Sequence, residues 1–206
     1  MNMNNLVISG GVGTGKSTLL VGLLPLFGQK FGSFSSDKAV AELYESHAFM
    51  RELNECFGQE ALQTDELGAT RVDRRWLRRV VLPDFSMRAK LDNLVHGYVL
   101  QALEEARTKA KEQDAKVFVA EVPLHYEIGS VISADLVIVV AASRSVQVRR
   151  MMENRRLDEA TTQAFLDAQL PIETKVEKAD VVIWNDGDSS ALESQTLLLA
   201  NLLNIE

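Results

Sequence analysis

Apolar positions along this chain follow two alternating periods. Nearly continuous runs of apolar β-formers at residues 6–8, 117–122, 136–141 and 181–184 predict strands, and residues 31–35 predict one more. Runs without polar alternation suit strands buried on both faces, as in a parallel sheet covered by helices. Between them lie stretches with helical spacing. Residues 18–27 predict a helix that Pro25 ends or bends and Gly28 closes. A long helical stretch is predicted over residues 37–57 and another over 73–81, ahead of Pro83. Over residues 86–112, Met87, Leu91, Leu94, Tyr98, Ala102 and Ala106 mark one long amphipathic helix. Residues 145–154, 158–168 and the stretch from the last strand to Leu203 complete the helices.

This β-α rhythm predicts an open, right-handed, five-stranded parallel sheet flanked by helices, with ligands at the carboxyl ends of its strands. No repeat or linker divides the chain, so one domain is expected. Residues 37–113 are too many for a simple crossover, so they are expected to form a helical cap on a core of residues 1–36 and 114–206.

One strand exit carries distinctive chemistry. Gly10-Gly11-Val12-Gly13-Thr14-Gly15-Lys16-Ser17 spells G-x-x-x-x-G-K-S directly after Leu6-Val7-Ile8. Glycines let successive backbone N–H groups turn toward one phosphate, and the helix that follows adds its partial positive end. Lys16 is then placed to reach the β- and γ-phosphates, and the Ser17 hydroxyl to ligate Mg²⁺. A glycine-rich turn with no ligand is the alternative, and it explains neither Lys16 nor Ser17.

Composition narrows the class. The 206 residues are 46% hydrophobic and 25% charged, enough for a full core. Lys and Arg number 22 against 29 Asp and Glu, and the resulting net charge of −7 argues against general nucleic-acid binding. A phosphorylated small molecule needs only local cations. No run approaches membrane-spanning length, and residues 1–5 carry no charged lead into a secretory segment, so a cytoplasmic protein without a membrane partner is expected. The single cysteine, Cys56, suits a reducing compartment, and three scattered histidines lack zinc-ligand spacing. No Asn-Lys-x-Asp motif is present to read guanine.

Taken in order, the segments resemble the dephospho-coenzyme A kinase family, a group of P-loop NTPase folds. Beyond the glycine-rich loop and Thr18, the resemblance rests on Asp37, on Phe57-Gly58, and on Val72-Asp73-Arg74-Arg75-Trp76-Leu77-Arg78-Arg79-Val80-Val81. It continues through His96, Glu121-Val122-Pro123-Leu124 with Glu127, and Gln147-Val148-Arg149-Arg150. The spacing of Gln169, Lys175, Ala179-Asp180, Ile183 and Asn185-Asp186-Gly187 ends the match. The resemblance implies transfer of the γ-phosphoryl group of ATP, with Mg²⁺, to the ribose 3′-hydroxyl of dephospho-coenzyme A.

It also implies roles. Gly11, Val12, Gly13, Thr14, Gly15, Lys16, Ser17 and Thr18 would bind ATP, with Arg150 beside it and Asn185 near the base, Asn185-Asp186-Gly187 being equally a plain turn. Lys16 and Asp37 would be catalytic, joined by Arg155, which stands one residue past the family's lid-arginine position, held here by Asn154; Asp37 would accept or orient the hydroxyl proton, though Ser35-Ser36-Asp37 is equally an ordinary helix-cap sequence. Glu121 would share the metal with Ser17, or is a satisfied carboxylate at a strand end. Arg78, His96 and Leu124 would face the acceptor. Arg78 belongs to a basic run that is otherwise a solvated face, and His96 is otherwise a packed helical histidine. Residues 150–160 correspond to the family's small mobile lid. The chain departs from the pattern at Ser35, Ala41, Gly97, His125 and Asn154. A related kinase for another nucleoside or nucleotide, or a nucleotide-binding protein with reduced transfer, is the alternative these departures leave.

Overall fold

Five strands build one parallel sheet: β1 (Asn4–Gly10), β2 (Phe31–Ser35), β5 (Val117–Glu121), β6 (Leu136–Ala141) and β7 (Val181–Trp184). Their order is β2-β5-β1-β6-β7. The computed structural model describes residues 3–81, 83–129 and 132–203, with Arg155 described by its backbone alone. β1 is central, with β5 on one side and β6 on the other. Chain direction away from β1 therefore reverses at its carboxyl end, which is where open α/β sheets form ligand crevices. Every residue of β5 is buried, as an apolar run in a covered strand requires.

The chain forms two compact units, Met1–Ser35 with Ala106–Glu206, and Ser36–Glu105. In the first, α1 (Lys16–Phe27) and α9 (Ser189–Leu202) cover one sheet face. Leu19, Leu23 and Phe27 of α1 meet Leu192 and Leu199 of α9 over Leu6, Ile8, Val119, Ile138 and Val140. Pro25 lies inside α1 without ending it, and Gly28 closes the helix as expected. On the opposite face Val139 and Ala141 pack with Ile172. Gly32 lies so close to the end of α5 (Phe85–Glu112) that a Cβ there would stand 2.4 Å from Ala110.

In the second unit the expected helix over 37–57 is two helices, α2 (Ser36–Leu43) and α3 (His47–Phe57). Ser46 takes extended backbone between them and its side chain accepts from Phe49 N, so a serine cap starts a second helix without any Gly or Pro. Residues 73–81 are likewise not one regular helix. Asp73 caps a single turn, α4 (Arg74–Trp76), by accepting from Arg75 N and Trp76 N, and Leu77–Val81 continue as a π turn. The hairpin of β3 (Leu62–Thr64) and β4 (Thr70–Val72) has no apolar alternation that would announce it. Phe49, fully buried, stacks on Tyr44 and meets Tyr98 edge-on, with Leu53, Leu77, Val81 and Leu91 closing this core.

After β6, α6 (Arg144–Arg155) ends where Arg156 adopts left-handed backbone at φ 53°. Asp158 then caps α7 (Glu159–Asp167) by accepting from Thr161 N. A short helix, α8 (Ile172–Glu177), follows Pro171. Six residues are too few to register as a period.

Candidate active site

The chain leaves β1 through a turn only glycine permits. Gly10 has φ 142°, and a Cβ on it would lie 2.1 Å from Val140 O. Gly15, at φ 100°, ends the loop as the cap of α1, with the Asn185 side chain filling the space a Cβ would need. Within the loop, Thr14 Oγ1 donates to Gly11 O at 2.9 Å. Lys16 is the first residue of α1 and only 8% exposed; its Nζ donates to Gly11 O at 2.6 Å, so the ammonium lies over its own loop.

The next residue reaches across the sheet. Ser17 Oγ donates to Glu121 Oε1 at 2.6 Å. Glu121 is the last residue of β5, buried, and in register with Ile8 of β1 and Ser35 of β2. A hydroxyl and a carboxylate thus converge at the loop's exit. Thr18, beside Ser17, is exposed in the same first turn.

Three other segments hold the loop from outside. Val12 N donates to Gln169 Oε1 at 3.1 Å, and Asn185 Nδ2 donates to Thr14 O at 2.8 Å. Arg150 Nη1 stands 3.5 Å from Gly13 O. Gln147 Nε2 donates to Ala142 O at 2.8 Å, holding the start of α6 to the end of β6. Next to Asn185, burial pushes the Asp186 carboxyl up, but hydrogen bonds from Ser143 and Trp184 and the charge of Arg150 outweigh it and leave the group below its ordinary value.

The first unit therefore brings together residues 11–18, Glu121, Arg150 and Asn185. Leu124 is 41% exposed on the turn after β5. Arg155 ends α6, and its side chain lies outside the described residues. In the second unit, Asp37 is the second residue of α2, exposed in its first turn; it is not the helix cap. Arg78 is exposed within the π turn. Its neighbour Arg74 places its guanidinium 5.0 Å from the centre of the Tyr44 ring, so that member of the basic run is engaged within the unit. His96 is half-buried on α5, with Nε2 enclosed and unpartnered among the described residues.

Sequence spacing marked Gln169, Glu127 and Lys175 without indicating what they touch. Lys175 is fully buried and pairs with Glu127 at 2.7 Å. An isolated lysine in a polar stretch carries no periodic signal that it is core. His125, two residues before Glu127, is 2% exposed and does not face a cleft. Burial lowers its pKa, with the Glu127 charge acting the other way.

A glycine-rich loop between a central strand and a helix, with a buried lysine and a Ser-carboxylate pair at its mouth, is the layout of a P-loop kinase fold. The family model described as dephospho-CoA kinase matches residues 5–191, from β1 into α9. The chain belongs to the dephospho-CoA kinase family. A dephospho-CoA kinase of Anaeromyxobacter dehalogenans is 33% identical over 196 residues, covering 95% of this chain and 90% of that one. One from Corynebacterium glutamicum is 31% identical over 199 residues, covering 96% and 95%. Among solved structures, a Thermus thermophilus protein superposes with TM-score 0.79 at 29% identity, covering 98% of this chain and 99% of that one. The dephospho-CoA kinase of Campylobacter jejuni gives 0.61 at 25%, covering 98% and 97%. Shikimate kinase from Acinetobacter baumannii, at TM-score 0.52 and 14% identity, shares the fold. As a dephospho-CoA kinase, the chain is a transferase of coenzyme A biosynthesis that phosphorylates dephospho-CoA with ATP.

Proposed function

We propose that residues 11–18 hold the phosphates of ATP and that Asp37 takes the proton from the ribose 3′-hydroxyl of dephospho-CoA as that oxygen attacks the γ-phosphorus. One O–P bond forms, the bond from the γ-phosphorus to the β–γ bridging oxygen breaks, and ADP leaves. One observation carries the reading: Ser17 Oγ and Glu121 Oε1 lie 2.6 Å apart at the end of the glycine loop that carries Lys16. Phosphoryl transfer requires mainly alignment and charge neutralisation, and this is where both would be supplied.

The same pair fits Mg²⁺, which takes one or two protein oxygens and completes its shell with phosphates and water. Ser17 would ligate the ion and Glu121 would hold it directly or through water. When bound, the ion neutralises charge on the β- and γ-phosphates. Lys16 Nζ exchanges Gly11 O for phosphate oxygens. Backbone N–H groups of the loop and the first turn of α1 add the helix's positive end. Arg150 and Arg155, both on α6 ahead of residues 156–158, stabilise charge developing on the transferred group. Asn185 borders the loop where the base is expected.

On the acceptor side, Asp37 leads α2 two residues beyond Ser35, the register partner of Glu121. Arg78 offers an exposed cation for the pyrophosphate of dephospho-CoA, His96 a hydrogen-bonding ring, and Leu124 an apolar rim. The working compartment is the cytoplasm; among the described residues no helix is long and apolar enough to cross a membrane.

The test is an assay with ATP, Mg²⁺ and dephospho-CoA, following 3′-phosphorylated product by mass. Asp37→Asn is expected to lower kcat by roughly 10²- to 10⁴-fold, as loss of a general base does, while ATP binding by calorimetry stays unchanged. Turnover by the wild-type protein only with a different hydroxyl acceptor overturns the substrate assignment. Full activity of Asp37→Asn overturns the base.

A further inference from the structure

The buried ammonium of Lys175 is not used by the chemistry described above, yet its three donor directions are all occupied. Nζ meets Glu127 Oε1 at 2.7 Å, Pro123 O at 3.0 Å and Gly10 O at 3.4 Å. Gly10 opens the phosphate loop. Pro123 lies two residues beyond Glu121. A fully buried cation is costly unless paired and fully hydrogen-bonded, and here it sits between the two strand exits that carry Lys16 with Ser17 and Glu121. Ser9 Oγ also donates to Pro123 O, at 3.2 Å, so the carbonyl beyond β5 is held from both β1 and α8.

The segment leading to Lys175 makes a second attachment. Gln169 Oε1 accepts from Val12 N at 3.1 Å, and the adjacent Leu170 N donates to Glu127 Oε1 at 3.0 Å. Glu127 thereby ties Leu170 and Lys175 together. Residues 169–175 grip the phosphate loop at Gly10 and Val12 and the post-β5 turn at Pro123. An interaction that served only the core would not need to end on loop carbonyl and amide groups at the mouth of the site.

Resting on the kinase reading above, we propose that Lys175, clamped by Glu127, and Gln169 form a brace that sets the phosphate loop against the Glu121 strand end. They are positioning residues for phosphoryl transfer. They touch no reacting atom; they fix the separation of the groups that do. A displacement on the order of 1 Å among catalytic groups is enough for about a 100-fold loss of rate.

The test uses two variants of the full chain. Gln169→Leu removes the acceptor for Val12 N without leaving a buried charge. Lys175→Met with Glu127→Leu removes both charges together, because exchanging a buried pair for apolar groups commonly preserves stability, whereas removing one partner does not. The measurements are melting temperature, kcat, KM for dephospho-CoA, and affinity for ATP with and without Mg²⁺ by calorimetry. The brace is supported if variants folded at the assay temperature lose fivefold or more in kcat or in Mg²⁺-dependent ATP affinity while KM for dephospho-CoA stays within twofold. Folded variants with smaller changes in both, whatever their melting temperature, overturn it, as does a loss confined to KM for dephospho-CoA. If the double variant does not fold, Gln169→Leu alone decides by the same criteria. If the wild-type protein does not turn over dephospho-CoA, the kinase reading fails separately, and Mg²⁺-dependent ATP affinity still decides the brace.

Discussion

At the scale of single residues, the loop's geometry depends on positions where a side chain has no room. Gly10 combines φ 142° with a carbonyl 2.1 Å from where its Cβ would be; Gly28 and Gly68 also have positive φ but nothing within 4 Å. Gly10→Ala is therefore expected to destabilise the protein by about 1–3 kcal/mol through overpacking, with backbone strain added, and to weaken ATP binding. Gly68→Ala meets only the backbone penalty. Thermal unfolding and ATP titration of the two variants check this; equal melting temperatures would show that crowding at Val140 O is not what selects glycine. The motif was legible at Gly10 to Ser17 because each residue type there answers a local geometric or chemical need. Lys175 was legible as a letter but not as a buried ion-pair member, because Glu127 and Gly10 stand 48 and 165 residues away from it in the chain.

At the scale of elements, acidic caps start several helices. Asp158 accepts from Thr161 N and Asp188 from Ala191 N. The hydrogen bonds from Ser190 and Ala191 hold the Asp188 carboxyl below its ordinary value, and those from Thr161 do the same for Asp158. A carboxyl lowered on folding contributes stability that is fully present above its unfolded pKa, about 3.9, and is lost as pH falls through the lower folded value. Asp188→Asn keeps a capping oxygen but removes the titration, so the fall in melting temperature from pH 5 to pH 3 is expected to be shallower than in wild type. An identical acid limb would remove Asp188 from the account. Strands 136–141 and 181–184 match their sequence-based bounds, because unbroken apolar runs have one comfortable environment. The break at Ser46 and the π turn after Trp76 were not legible. Serine is common both in helices and at their starts, and the helical period continues across it.

At the scale of the whole molecule, the chain divides into a sheet unit and a helical unit with separate cores. Phe49 is fully buried in the second, between Tyr44 and Tyr98. Phe49→Ala is expected to cost about 3–5 kcal/mol. Hydrogen exchange should accelerate across residues 36–105 before residues 1–35 and 106–203 respond. Uniform acceleration along the chain would mean the two cores melt as one.

By itself the sequence determined the strands with two-faced apolar runs, the phosphate loop and the family to which the ordered motifs belong. These rest on local composition, or on spacing that survives without knowing what touches what. Only the tertiary structure decided that Ser17 meets Glu121, that Asn185 and Gln169 hold the loop, and that Lys175 lies buried between two strand exits. Parallel strands are joined by crossovers, so residues neighbouring in space are separated by tens to hundreds of positions in the chain. A hydrogen bond across such a crossover leaves no period for the sequence to display.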